Sequence, residues 1–310
     1  MELTRPERER LADEHGEQAR RLRLAGQPAE AMHHADTGVA LVEGLLTERP
    51  DEPSVIWALA GQLDNRAAIQ EELDQPANGI PDARRSVELY QQLITSDTRV
   101  GAYAAEAQTR LARLIALAPD GTGPGGVDEA RDAVSGAVTT YLRLAGADQQ
   151  HWPGLARVLY ARGEVFRLLA AAASEPPSTE TLDSYIDALQ VYDALGEQVG
   201  DEDNLYHARA LLQTARMYRH PDADLADMRG VATAAADRFW QRVNEGRGGY
   251  DDCVAALHLL GEIMRSEGAP DWTQPLRAAR HLLARMVRPL SEETAERERD
   301  IDQHLDGPTP

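Results

Sequence analysis

Three segments of the chain share one apolar register at a fixed interval. Val87-x2-Tyr90-x2-Leu93 returns as Val138-x2-Tyr141-x2-Leu144 and again as Leu189-x2-Tyr192-x2-Leu195. Tyr90 to Tyr141 is 51 residues, Tyr141 to Tyr192 is again 51, and Val42 holds the corresponding place 48 residues before Tyr90. A spacing of three puts such side chains on one stripe of a helix. One helix pair cannot bury its stripe alone, so a chain that repeats the unit must stack neighbour on neighbour. The interval therefore restricts the chain to an array of helices.

A second register lies in the helices between. Trp152 opens WPGLARVLYARGEVFRLL, with Leu155, small Ala156 and Leu159 at steps of three and four. Similar starts are Trp57 with Ala60 and Gly61, Tyr103 with Glu106 and Ala107, Tyr206 with Arg209 and Ala210, and Tyr250 with Cys253 and Val254. Gly and Pro punctuate the chain at Gly26-Gln27-Pro28, Pro50 to Pro53, Gln75 to Gly79, residues 119–126, Ser174 to Pro177 and His220-Pro221. Between them the spacing predicts helices over 5–25, 29–46, 54–73, 81–94, 100–118, 127–144, 151–173, 178–198, 203–219, 222–243, 250–266 and 272–287. These form six pairs within a repeat domain of residues 1–290. Residues 291–310 read as a charged C-terminal tail that can begin helical and is partly disordered, with no fixed structure expected over about the last ten residues.

These spacings resemble the tetratricopeptide repeat (TPR) family, in a long-repeat form often seen in GC-rich bacteria. The resemblance implies an all-α, right-handed α-solenoid of about six helix pairs, whose first helices line a concave face. It also implies binding more often than catalysis. In the family, positions one, five and eight after the opening aromatic face the groove. Here these are Ala58, Gln62 and Asn65; Ala104, Gln108 and Leu111; Pro153, Arg157 and Tyr160; His207, Leu211 and Thr214; Asp251, Ala255 and His258. The expected groove is thus Gln62, Asn65, Gln108, Arg157, Tyr160, His207, Thr214 and His258. It lacks the basic clamp with which chaperone-binding members hold an acidic C-terminus. The competing reading is a surface that these residues merely solvate.

Composition narrows the function further. All 32 positive charges are arginines, and the net charge is -20. Without lysine there is no phosphate-loop lysine and no Schiff-base lysine. The acidic balance repels phosphate backbones, so no nucleic-acid partner is expected, and a basic protein or peptide is favoured. Hydrophobic residues are 42% and aromatics only 5%, so the core is built of Ala, Leu and Val. Cys253 is the single cysteine, which leaves no disulfide framework and no cysteine zinc site. The start, MELTRPERERLADEH, has no apolar h-region, and no apolar run reaches bilayer length; neither a signal peptide nor a membrane span is expected, which fits a cytoplasmic chain.

Local clusters carry little chemistry. Glu30 with His33 and His34 has E-x-x-H spacing but no second such motif to complete a di-iron site. His258 and Glu262 read as a hydrogen-bonded helical pair. Gly121 to Gly126 is a glycine-rich linker without the lysine of a phosphate loop. Asp201-Glu202-Asp203-Asn204 lacks the glycine and distal glutamate of an EF-hand and reads as a helix-capping run. No catalytic residue, metal site or cofactor is assigned. The leading expectation is a non-enzymatic scaffold or adaptor for a protein or peptide. The alternatives are a ligand- or peptide-sensing regulator, and an enzyme with its site in the groove around Tyr160, His207 and His258.

Overall fold

The structure, a computed structural model, describes residues 3–94, 100–118, 125–196, 199–217, 224–286 and 290–306. Among the described residues every regular element is helical. The α-helices are α1 (Arg5–Leu24), α2 (Pro28–Glu48), α3 (Pro53–Glu72), α4 (Pro76–Ile94), α5 (Val100–Leu117), α6 (Gly126–Ala147), α7 (Trp152–Ala172), α8 (Thr179–Leu195), α9 (Asp201–Met217), α10 (Leu225–Asn244), α11 (Tyr250–Ser266), α12 (Thr273–Leu283) and α13 (Glu292–Asp306), with a short 3-10 turn at Gln149–His151. The starts follow local chemistry. Pro stands in the first turn of α1, α2, α3 and α7, where its missing N–H costs nothing. Glu7 accepts a hydrogen bond from the Thr4 backbone N–H at 2.7 Å, which closes the start of α1.

The chain divides into two compact units, residues 1–181 and 182–310. In the first, α1 packs on α2, α3 on α4 and α5 on α6, and each pair packs on the next, with α7 against α5 and α6. This is the all-α solenoid arrangement. In the second unit α9 packs on α10, α10 on α11, α11 on α12, and α13 closes against α11 and α12. The tyrosine register marks the core of the second helices: Val42, Tyr90, Tyr141 and Tyr192 are all buried. The small residues Ala107 and Ala156 are fully buried.

Two stretches differ from expectation. Gln75 to Gly79, read as a loop because of its Pro and Asn-Gly, is the link and first turn of α4, which starts at Pro76 and runs through Pro81. Pro81 lies near the start of the helix, so one lost backbone bond is tolerated. Gly79 faces the core rather than solvent: a Cβ there would meet the Ala67 carbonyl at 3.2 Å and Leu114 at 3.1 Å, so its small size lets α4 approach α3. The second difference is how far the C-terminal helix runs: it continues to Asp306, into the last ten residues. Residues 292–306 form a helix that buries Thr294 and Ile301. Residues 307–310 lie outside the described residues, as do the His220-Pro221 break and residues 119–124 of the glycine-rich linker.

The C-terminal helix α13 packs on α11 at the offset by which one first helix meets the next. Thr294 Oγ1 donates to Asp251 Oδ1 at 2.6 Å, and His258 Nε2 lies 2.6 Å from Asp300 Oδ2, offsets of 43 and 42 residues. The Arg209–Asp252 pair joins α9 to α11 at the same offset of 43. A polar helix in that place covers one side of the α11–α12 pair.

Candidate functional site

Successive first helices are joined by ion pairs one repeat apart. On the α3–α5 seam Arg110 Nε lies 2.8 Å from Asp64 Oδ1, and Arg113 lies 2.5 Å from Glu71. Between α1 and α3 the pairs are Arg5–Glu52 and Arg23–Glu72, at 2.6 and 2.7 Å. Second helices repeat the device: Arg84 on α4 holds Glu129 on α6 through two bonds of 2.7 and 2.6 Å. Such forked contacts suit the planar guanidinium, and they explain a good part of the arginine content.

One end of the α3–α5 seam is aromatic. The rings of Trp57 and Tyr103 meet edge to face, with centroids 4.7 Å apart, and Tyr90 beneath them lies 5.5 Å from Trp57. Tyr90 is buried and its phenol is pushed up by burial, with the nearby Asp64 and Glu106 adding to the shift. Tyr103 is 48% exposed. A half-open aromatic step on a helical array, flanked by fixed ion pairs, is a surface with grip for an apolar side chain and for the polar groups beside it.

The expected groove residues take varied places. In the first unit the Gln62 amide sits between two glycines: Nε2 donates to the Ala12 carbonyl at 3.1 Å, and added Cβ atoms at Gly16 and Gly38 would come 2.1 and 2.9 Å from it. Gln108 lies against Gly136 in the same manner, at 3.3 Å from a Cβ there. Asn65 and Arg157 are half-buried, and Arg157 lies near enough to the Tyr141 phenol to lower its pKa against the stronger upward pull of burial. Tyr160 is 8% exposed. In the second unit His207 and Thr214 are 3% and 2% exposed, and His258 is half-buried against Asp300. Asn65, Gln108, Arg157 and His258 therefore keep surface that a partner can touch. Positions 57, 64, 103 and 110 form the seam itself. The carry-over of family positions does not name them; their signal in the sequence is the offset of 46 residues from Trp57 to Tyr103 and from Asp64 to Arg110.

His207 has the most shifted imidazole. Burial lowers its pKa to about 4, and the Arg238 cation adds to the shift. Its ring stacks on Tyr192 with centroids 5.0 Å apart and planes 9° apart. Asp193 lies 3.8 Å from Nε2 but is largely exposed, so solvent screens its pull towards the charged form. His207 is thus a neutral core histidine.

The remaining clusters resolve one by one. His34 meets a residue the sequence spacing did not join to it, His15 on α1, with Nδ1 atoms 2.9 Å apart. Burial lowers the His15 pKa, and His34 and His33 lower it further. Asp201 of the acidic run binds Arg242 and Arg247 at 2.8 and 2.7 Å, so its carboxylate serves as an ion-pair anchor. Cys253 is buried, and burial pushes its thiol up to about 12, which leaves it inert. His258 and Glu262 on α11 are joined by Asp300 on α13, and one ligand atom from each lies within 4.8 Å of the others. Asp300 lies in the stretch read as a tail, which is why local spacing did not reveal the trio.

No family model and no curated protein matches the chain. Among solved structures it is similar to BtubC (BKLC) from P. vanneervenii, at 15% identity over 91% of this chain and 94% of that one, with a TM-score of 0.57. It is also similar to a putative kinesin light chain with nearly identical TPR-like repeats from Podosopora anserina, at 17% identity over 76% of this chain and 96% of that one, with a TM-score of 0.43. The fold is a TPR-like all-α solenoid. Among the described residues no helix is long and apolar enough to cross a membrane.

Proposed function

We propose that the chain is a non-enzymatic scaffold that holds a protein or peptide segment along the first helices of its repeats. The observation that carries this reading is the half-open Trp57–Tyr103 step on α3 and α5, set beside the Asp64–Arg110 pair. Exposed aromatics next to ordered charges are the common anchors of protein interfaces. TPR-like repeats generally mediate protein interactions, which agrees. A net charge of -20 favours a basic segment. Asn65, Gln108 and Arg157 offer groups for the backbone of such a segment.

The test is capture and then calorimetry. Immobilised full-length chain is exposed to native lysate, and the dominant retained protein is titrated against wild type, Tyr103→Ala, Asn65→Ala and Arg157→Ala. Tyr103→Ala should weaken binding roughly tenfold or more while the melting curve barely moves. Binding unchanged in all three variants removes the first-helix face as the site.

A further inference from the structure

Beyond partner binding, we infer that His258, Glu262 and Asp300 form a site for a divalent transition-metal ion of the zinc class, which clips the terminal helix α13 to α11. The three side chains come from two helices, and their ligand atoms lie within 4.8 Å of one another. His258 and Glu262 stand one turn apart on α11, so both project to the same side. Asp300 reaches them from α13, with its Oδ2 2.6 Å from His258 Nε2. One turn on, His304 lies beside the same carboxylate: its Nδ1 donates to the Asp300 backbone carbonyl at 2.9 Å and stands 3.4 Å from Oδ2. Outer partners of that kind orient metal-binding carboxylates.

Charge and donor type select the ion. Two carboxylates balance a dication, and an imidazole with carboxylate oxygens suits zinc and its first-row neighbours better than magnesium or calcium, which take oxygen alone. In a tetrahedral site the two ligand atoms of His258 and Asp300 would stand about 3.3 Å apart, so the pair opens by under an ångström. Helix α13 allows this, since Thr294 and Ile301 are its buried residues. An open cleft of about 510 Å³ reaches His258 and Asp300 along α13, lined also by Glu293, Glu296, Arg297 and Arg299. The two arginines oppose a cation. Arg297 is paired with Glu293, and the three carboxylates that line the cleft, Glu293, Glu296 and Asp300, outnumber the two arginines.

The full chain, stripped with a chelator, is titrated with zinc chloride by calorimetry and with cobalt(II) by visible absorption. One ion should bind per chain, cobalt should give the intense bands of low-coordinate geometry, and zinc should slow amide exchange in α13. His258→Ala, Glu262→Gln and Asp300→Asn should each weaken zinc binding at least tenfold, and His34→Ala should leave it unchanged. If His258→Ala loosens α13 by itself, Glu262→Gln decides. No saturable zinc binding, affinity unchanged in Glu262→Gln and Asp300→Asn, or loss only in His34→Ala would each overturn the site.

Discussion

The ring of Tyr141 on α6 lies directly on the backbone of Gly154 in the first turn of α7: a Cβ at Gly154 would stand 2.2 Å from Tyr141 Cε1. The tyrosine cannot easily retreat, because its ring is buried and its hydroxyl lies 3.1 Å from Glu106 Oε1. Helix propensity alone favours alanine over glycine by about 1 kcal/mol. The close approach acts in the other direction, and overpacking costs about 1–3 kcal/mol. Gly154→Ala should therefore lower stability in a urea melt; a rise in the midpoint would show that the contact yields.

His207 makes stability depend on pH. Its pKa is about 4 in the folded chain, against an ordinary value near 6.5 when unfolded. Between those values the unfolded state binds the extra proton, so stability falls as pH drops from about 6.5 to 4, by up to about 3 kcal/mol. Replacing the imidazole with a ring that does not titrate, His207→Phe, should flatten that part of the profile. An identical acid slope in the variant would show that other groups cause it.

Arg110 bridges two first helices and sits between Asp64 and Glu71, 2.8 and 3.8 Å away. Its side chain is only partly exposed, as are both carboxylates. Arg110→Ala leaves the half-buried Asp64 without its cation, while Arg113 still holds Glu71 at 2.5 Å, so it should cost about 1–3 kcal/mol, more than an exposed pair. Asp64→Ala in the same chain should recover part of the loss. Simple additivity in the double-mutant cycle would mean that the pair is not coupled.

What the sequence reveals here is periodic, and what it hides is pairwise. Tyr90, Tyr141 and Tyr192 announce their burial because each sits on an apolar stripe that needs no knowledge of its neighbours. Gln75 to Gly79 misleads because Pro and Asn-Gly signal turns locally, while Gly79 answers to Ala67 and Leu114 on other helices. Gln62 has a groove position by spacing, yet its amide donates to the Ala12 carbonyl in the room left by Gly16 and Gly38, which only the packed structure brings to it. Nine of the fifteen residues of α13 are charged, so its stripe is faint, and Ile301 is its one fully buried aliphatic. The Asp300–His258 contact spans 42 residues and becomes visible only once the Arg209–Asp252 offset is known.

Ala156 tests whether the small position in α7 is set by contact. It is fully buried, α7 packs on both α5 and α6, and Ala107, the matching residue on α5, is fully buried as well. Leucine at position 156 adds three carbons. If space existed beside it, their burial would stabilise the fold by up to about 2 kcal/mol. If the helices are already in contact, the same carbons force them apart at a cost of about 1–3 kcal/mol. Full burial of so small a side chain decides for the second outcome. Ala156→Leu should lower the urea midpoint without changing the helical circular-dichroism signal. Leu142→Ala, at a residue 55% exposed on α6, should move it by less than about 0.5 kcal/mol and serves as the control. A stable Ala156→Leu chain would mean that α7 meets its neighbours through other residues, and that the small position does not fix the spacing of the repeats.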